Sequence, residues 1–236
     1  MEGKRSEITL VAPGGIRTAL QKLLPQFEAK TGCKVAPSFM SGGAAKAKIV
    51  AGEPFDVPIL QPPLEAVLAS SHVVPASEAQ LATVSVVLAV RSDAAKPDIS
   101  TADGVRDLLL GASSIACPDA ARGAACGVSF EASLKELGIA AAVAAKIRPV
   151  RSGWVAIETL ARGEVDVGVT FASEMDPDPR VQLLGPLPRA ISTPTEFVAF
   201  VNAQAGVPKA AAALIEFLRA PEAAKTFVAC GMTPGK

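Results

Sequence analysis

The chain has 236 residues, half of them hydrophobic, and its 23 basic and 23 acidic side chains give a formal charge of zero. That composition excludes a disordered chain, and the charge balance argues against a nucleic-acid ligand, which needs a basic face. Aromatics are 4% with no Tyr, so the core must be built from Ala, Val, Leu and Ile. A single His, His72, leaves little material for a Ser-His-Asp triad or a His-rich zinc site, and a surface or half-buried role suits it. Cys33, Cys117, Cys126 and Cys230 show no CxxC spacing. A bridge between Cys117 and Cys126 stays open. No apolar run approaches the ~18 residues of a membrane span. Residues 1–7 lack the apolar core of a signal peptide. Two compartments remain: periplasmic if a signal has been removed, cytoplasmic otherwise.

In chain order, strand-type and helix-type runs alternate. Residues 8–12 read as a strand, and Gly14-Gly15 opens a helix whose apolar positions Ile16, Leu20, Leu23, Leu24 and Phe27 share one face. Pro25 should kink or split that helix. A strand at 34–39, with Val35 and Phe39 inward, leads through Ser41-Gly42-Gly43 to a helix ending near Gly52. A short buried strand at 56–60 and a short helix at 63–70 follow. Residues 81–90 form the longest β-branched run. Ser100 and Asp103 mark a helix start in capping-box fashion, and that helix ends near residue 110. A strand at 114–117 precedes a small-residue loop, 119–127, and a helix at 128–137. A strand at 146–150 leads to a Ser152-capped helix ending near 162. Strands at 165–171 and 196–201 and helices at 209–219 and 222–229 complete the chain. This alternation predicts parallel or mostly parallel sheets with helices on both faces, and ligands at the carboxyl ends of the strands.

One device recurs where strands end. A Gly- or Ser-bearing turn opens a helix at Gly14-Gly15, at Ser41-Gly42-Gly43, at Gly123 through Gly127 and at Ser152-Gly153. The first turn of a helix carries N–H groups without intrahelical partners and a partial positive charge, so such turns suit an oxyanion or carboxylate. Arg17, Arg122 and Arg151 stand beside three of them, and guanidinium suits planar anions. Each turn can equally be a simple cap, each Arg a solvated surface charge, and Lys46 and Lys48 read as surface residues.

The segments 8–15, 19–20, 27–28, 31–32 and 34–35 resemble the opening of molybdate-binding proteins, the type II periplasmic solute-binding proteins of ABC transporters. Ser41-Gly42-Gly43 with Ala51-Gly52-Glu53-Pro54-Phe55-Asp56-Val57 is similar to the family's second oxyanion loop and following strand. Residues 165–174, and 217–223 with Gly231-Met232, match later family segments. The resemblance implies an α/β, two-lobed type II periplasmic-binding-protein fold with mixed sheets flanked by helices and a two-strand hinge. It assigns 1–84 plus 195–236 to one lobe and 85–194 to the other, with the ligand cleft between them and the hinge in the 81–90 and 192–201 runs.

The ligand set it implies is a small anion held by Gly14, Gly15, Ser41, Gly42 and Gly43. Backbone donors would come from Arg122, Gly123, Ala125 and Cys126, and from Ser152, Gly153 and Trp154, with Arg17 and Arg151 nearby. The family's Ser and Tyr hydroxyls fall here on Gly15 and Phe171, which have none. With Arg17 and Arg122 close by, that difference favours a carboxylate over molybdate. The main expectation is therefore a monomeric carrier, with no cofactor, no metal, no nucleic acid and no membrane insertion, serving an ABC permease. The alternative is an aconitate-isomerase-like enzyme. Its proton-moving base would be Cys126, Asp119 or Glu158, with Cys126 a thiolate favoured by a helix N-terminus. Cys126 can also be a small buried filler, Asp119 a turn residue and Glu158 a helix-face charge.

Overall fold

The computed structural model describes residues 7–175 and 178–235. Positions 1–6, part of the segment read above as lacking a signal, lie outside the described residues. The chain divides into two compact units, Met1–Thr83 with Glu196–Lys236 and Val84–Thr195.

The first unit holds β1 (Glu7–Pro13), α1 (Arg17–Thr31), β2 (Lys34–Met40), α2 (Gly42–Val50), β3 (Val57–Leu60), α3 (Glu65–Ala69) and β4 (Ala79–Val84, whose last residue falls in the second unit). The second holds β5 (Val86–Arg91), α4 (Ala102–Gly111), β6 (Ile115–Pro118), α5 (Ala125–Glu136), α6 (Ala140–Val143), β7 (Ile147–Val150), α7 (Gly153–Ala161), β8 (Val167–Phe171) and β9 (Val181–Pro186). The chain then returns to the first unit through β10 (Thr195–Ala199), α8 (Pro208–Arg219), α9 (Pro221–Ala229) and β11 (Thr233–Pro234).

Each unit is built on a mixed sheet. The first has the order β11-β4-β10-β3-β1-β2, the second β7-β6-β8-β5-β9. β1 lies parallel to both β2 and β3, and β10 runs antiparallel to β3. β6 lies parallel to β7 and β8, and β5 is antiparallel to β8 and β9. Helices cover the apolar faces. Val11, Leu60 and Val198 from the first sheet, with Phe200 just after β10, pack with Ala45 and Ile49 of α2. Ala89 and Ala116 of the second pack with Ala156, Ile157 and Leu160 of α7. Phe27 of α1 meets Phe217 of α8, ring centroids 5.5 Å apart.

Four sequence expectations need adjustment. Pro25 does not split α1, because it sits on the exposed side while Leu23, Leu24 and Phe27 are buried around it. The long 81–90 run is two strands in two sheets, separated at Ser85. The cap of α4 is Thr101, whose Oγ1 accepts the Gly104 N–H at 3.1 Å, while Asp98 takes the Ser100 N–H at 2.8 Å. The loop at 119–127 contains a 3-10 turn, Ala120–Arg122, and the first turn of α5, which begins three residues earlier than expected. Strand β9 went unpredicted; Gly185, at φ 117, and Pro186 mask it.

Candidate functional site

In the first unit, the parallel register places the carboxyl ends of three strands side by side. Pro13 pairs with Met40, so one residue further Gly14 stands level with Ser41. On the other side of β1, Val11 pairs with Pro58 of β3, and Gln61 follows directly after the end of that strand. Gly14 opens a 3-10 turn, Gly14–Ile16, that feeds α1, and Gly15 within it is buried. Ser41 is extended (φ −68°, ψ 152°), and its Oγ accepts the Ala44 N–H at 3.2 Å as the N-cap of α2. The hydroxyl proton of Ser41 is left to donate elsewhere. Gly42 and Gly43 follow as the first residues of α2, where N–H groups have no intrahelical acceptor. Arg17 stacks over the Phe39 ring at 4.9 Å from its centroid, which holds a guanidinium near the end of β2.

The second unit repeats this construction. Pro118 pairs with Val150, and the Asp119 N–H donates to the Val150 carbonyl at 2.9 Å. The ends of β6 and β7 therefore release the turns before α5 and α7 next to each other. Ser152 caps α7 through its Oγ, which accepts the Val155 N–H at 3.4 Å. Two glycines allow close approach of each helix start to a strand end. A Cβ on Gly127 would stand 1.9 Å from the Pro118 carbonyl oxygen. One on Gly153 would stand 2.1 Å from Thr170 Oγ1 and 2.5 Å from Glu174 Oε2. Gly123 (φ +74°) turns the chain between the 3-10 segment and α5. Ala125 is the first residue of α5.

The charged candidates fare unevenly. Arg122 is 84% exposed and pairs with Asp119 at 3.5 Å. Asp119 is already engaged, its Oδ1 accepting the Ala121 N–H at 3.0 Å, so it works as a turn residue. Arg151 is exposed beside the Ser152 cap. Glu158 is exposed on α7, paired with Arg162. Trp154 is 37% exposed, whereas Phe171 is buried at the end of β8.

Of the two readings of Cys126, the small buried filler holds and the thiolate does not. It is 3% exposed, and burial raises its thiol well above the ordinary value, with Cys117 and Glu174 adding in the same direction. Burial outweighs the helix N-terminus here, so Cys126 is a neutral packing group. None of the four cysteines is in a disulfide, so Cys117 and Cys126 form no bridge.

Two buried polar residues at strand ends escaped the sequence reading. Glu174 is 9% exposed beside the start of α7, and Gln61 is 3% exposed beyond the end of β3. Glu174 lay within a segment quoted for its resemblance, but its place against Gly153 is a tertiary fact. Gln61 precedes Pro62-Pro63 and reads as an ordinary turn residue.

Two mixed sheets whose parallel strand ends release Gly- and Ser-opened helices define the type II solute-binding architecture. The chain belongs to the bacterial extracellular solute-binding protein family, whose model matches residues 8–233. Among individual proteins, it is 29% identical over 236 residues to an aconitate isomerase from Pseudomonas sp., covering 96% of this chain and 87% of the isomerase. Its fold is similar to that of the periplasmic molybdate-binding protein of Azotobacter vinelandii, with TM-score 0.78, 22% identity and coverage of 97% of this chain and 100% of the other. It is also similar to the sulfate-binding protein of Mycobacterium tuberculosis H37Rv, with TM-score 0.74, 18% identity and coverage of 97% and 86%. Among the described residues no helix is long and apolar enough to cross a membrane.

Proposed function

We propose that this solute-binding protein captures a small carboxylate on the helix N-termini released by its parallel strand ends. Other small oxyanions form the wider ligand class. The observation that carries the reading is the alignment of Gly14 with Ser41 at neighbouring strand ends, which sets a Gly-rich turn beside a Ser-capped helix start. Helix N-termini supply amide donors and positive potential without a metal or a Lys. Arg17 adds the planar donor set that suits a carboxylate. Gly15 and Phe171 supply no hydroxyl, which weighs against a tetrahedral dianion such as molybdate. In this reading the protein is a monomeric periplasmic carrier that delivers its ligand to an ABC permease.

A thermal-shift panel tests it. Di- and tricarboxylates should raise the melting temperature, and ligand addition should change Trp154 fluorescence. Stabilisation by molybdate, tungstate or sulfate with no response to any carboxylate would overturn the carboxylate assignment.

One observation favours a second reading: the relative that is 29% identical is an aconitate isomerase. Such a reaction removes an allylic proton and returns one at the other end of the shifted double bond, so it needs a base. A buried, neutral Cys126 does not serve as that base, and Glu158 points its charge at Arg162. Incubating the protein with aconitate in deuterated buffer decides the matter. Deuterium appearing at the allylic carbon supports the enzyme, and unexchanged aconitate that still stabilises the fold supports the carrier.

A further inference from the structure

Gln61 is the one described residue whose side-chain nitrogen and oxygen are both buried and both without a hydrogen-bond partner. It is 3% exposed. Folding normally avoids this arrangement, because a buried amide loses its water on both sides and gains nothing in return. Elsewhere in the same unit buried polar groups are amply paired: Asp56 alone accepts from Thr9, Gly206 and Val207. The Gln61 amide is therefore an exception within a well-satisfied unit.

Its position is also distinctive. Gly14, Ser41 and Gln61 each directly follow the end of one of three adjacent strands, β1, β2 and β3, and the β1–β2 register sets Gly14 level with Ser41. Two of the three open helices. The third carries an amide with unused donors and an unused acceptor.

We propose that Gln61 is a specificity-determining residue that reads a hydroxyl group on a carboxylate ligand. This rests on the carboxylate-carrier reading and narrows it to hydroxycarboxylates. The chemistry follows from the donor and acceptor inventory. A carboxylate or a bare tetrahedral dianion offers acceptors only, so either would satisfy the Nε2 hydrogens and face the Oε1 lone pairs with its own. A hydroxyl is both donor and acceptor. It gives its proton to Oε1 and accepts from Nε2, while the helix starts at Gly14 and Ser41 receive the ligand's negative charge. A site that hydrogen-bonds a ligand hydroxyl discriminates strongly against the analogue lacking it, because its own polar atoms are then left unpaired.

The test uses the full chain and ligand pairs that differ only at that group: malate against succinate, and citrate against propane-1,2,3-tricarboxylate, with methoxysuccinate as the member that accepts but cannot donate. Calorimetry should show the hydroxyl-bearing ligand of each pair binding at least about tenfold tighter, with methoxysuccinate on the weak side. In Gln61→Met, a close match in volume, the malate-to-succinate ratio should fall to about one, and the unliganded protein should melt higher because an unpaired buried amide has been removed. The wild-type ligand series stands by itself if the variant does not fold. Equal affinities within both pairs, a ratio unchanged in Gln61→Met, or aconitate binding more tightly than citrate would overturn the assignment of Gln61 while leaving the carrier reading in place. Absence of binding by every carboxylate would overturn both together.

Discussion

The Asp56 carboxylate and Thr9 are joined twice, with Oδ2 accepting the Thr9 backbone N–H at 2.8 Å and its hydroxyl at 2.7 Å. The other oxygen, Oδ1, accepts the Gly206 N–H at 2.7 Å and the Val207 N–H at 3.3 Å, just before α8. One buried carboxylate thus ties β1 to the segment preceding β3 and to the start of a C-terminal helix. It does so at the amino ends of the strands, away from Gly14, Ser41 and Gln61 at their carboxyl ends.

Asp56→Ala should therefore destabilise the protein by about 3 kcal/mol, since it removes several charge-assisted bonds and leaves buried N–H groups unpaired. Urea unfolding measures the loss. Ligand selectivity in the fraction that remains folded should match that of the parent protein.

Two serine and threonine caps allow stability to be separated from binding. Ser41 and Thr101 each accept an N–H in the first turn of a helix, at 3.2 Å and 3.1 Å. Ser41→Ala and Thr101→Ala should each cost about 1 kcal/mol of stability. Only Ser41→Ala should also weaken carboxylate binding, by about tenfold, through loss of a hydroxyl donor. Equal affinity in the two variants would remove Ser41 from the site.

A pair of glycines should respond in opposite directions. At Gly127 a methyl group would press into the Pro118 carbonyl oxygen, so Gly127→Ala should cost about 3 kcal/mol as α5 is pushed off β6. At Gly111, the last residue of α4, a Cβ would have nothing within 4 Å. Gly111→Ala should stabilise by about 0.5–1 kcal/mol by restricting the unfolded chain. Thermal melts of both variants check the contrast.

Burial raises the thiols of Cys117 and Cys126 above their ordinary value of 9.0. In the unfolded chain these thiols ionise near that value, while in the native protein they keep their protons. Their contribution to stability is thus fully present below about pH 9 and falls as pH rises beyond it. The slope should be about 1.4 kcal/mol per pH unit for each thiol. A series of unfolding curves from pH 8 to pH 11 should show this decline, and the double variant Cys117→Val, Cys126→Ala should flatten it. A slope that survives the double substitution would place the titrating groups elsewhere.

Much of the fold was legible because its strands are short, apolar and bracketed by turn residues. The fully buried run 57–60 read as a strand without any alternation, 165–171 read as one although all of 167–171 is buried, and Ser41 and Ser152 announced the helices they cap. The site was legible only in part. Gly14, Ser41 and Ser152 carry their roles in local backbone chemistry, which spacing reveals. Cys126 does not, since its helix start allows a thiolate and its small size a buried filler, and only the packing around it shows that desolvation wins. Gln61 and Glu174 are polar residues whose burial has no local sequence signal: Glu174 lies against Gly153, twenty-one positions before it, and Gln61 is 3% exposed although it directly precedes two prolines. Strand β9 was missed because glycine and proline inside it argue locally against the pairing that β5 imposes.

The split of the 81–90 run at Ser85 bears on how the molecule is made. Val84–Thr195 is one uninterrupted stretch, so that half can close as soon as it emerges from the ribosome. The other half has to wait: β10 sits in the interior of its sheet, between β4 and β3, and is synthesised more than a hundred residues after them. Nascent β1, β2 and β3 therefore have an unfilled slot along β3 until Thr195–Ala199 arrives, which makes this half the later of the two to close.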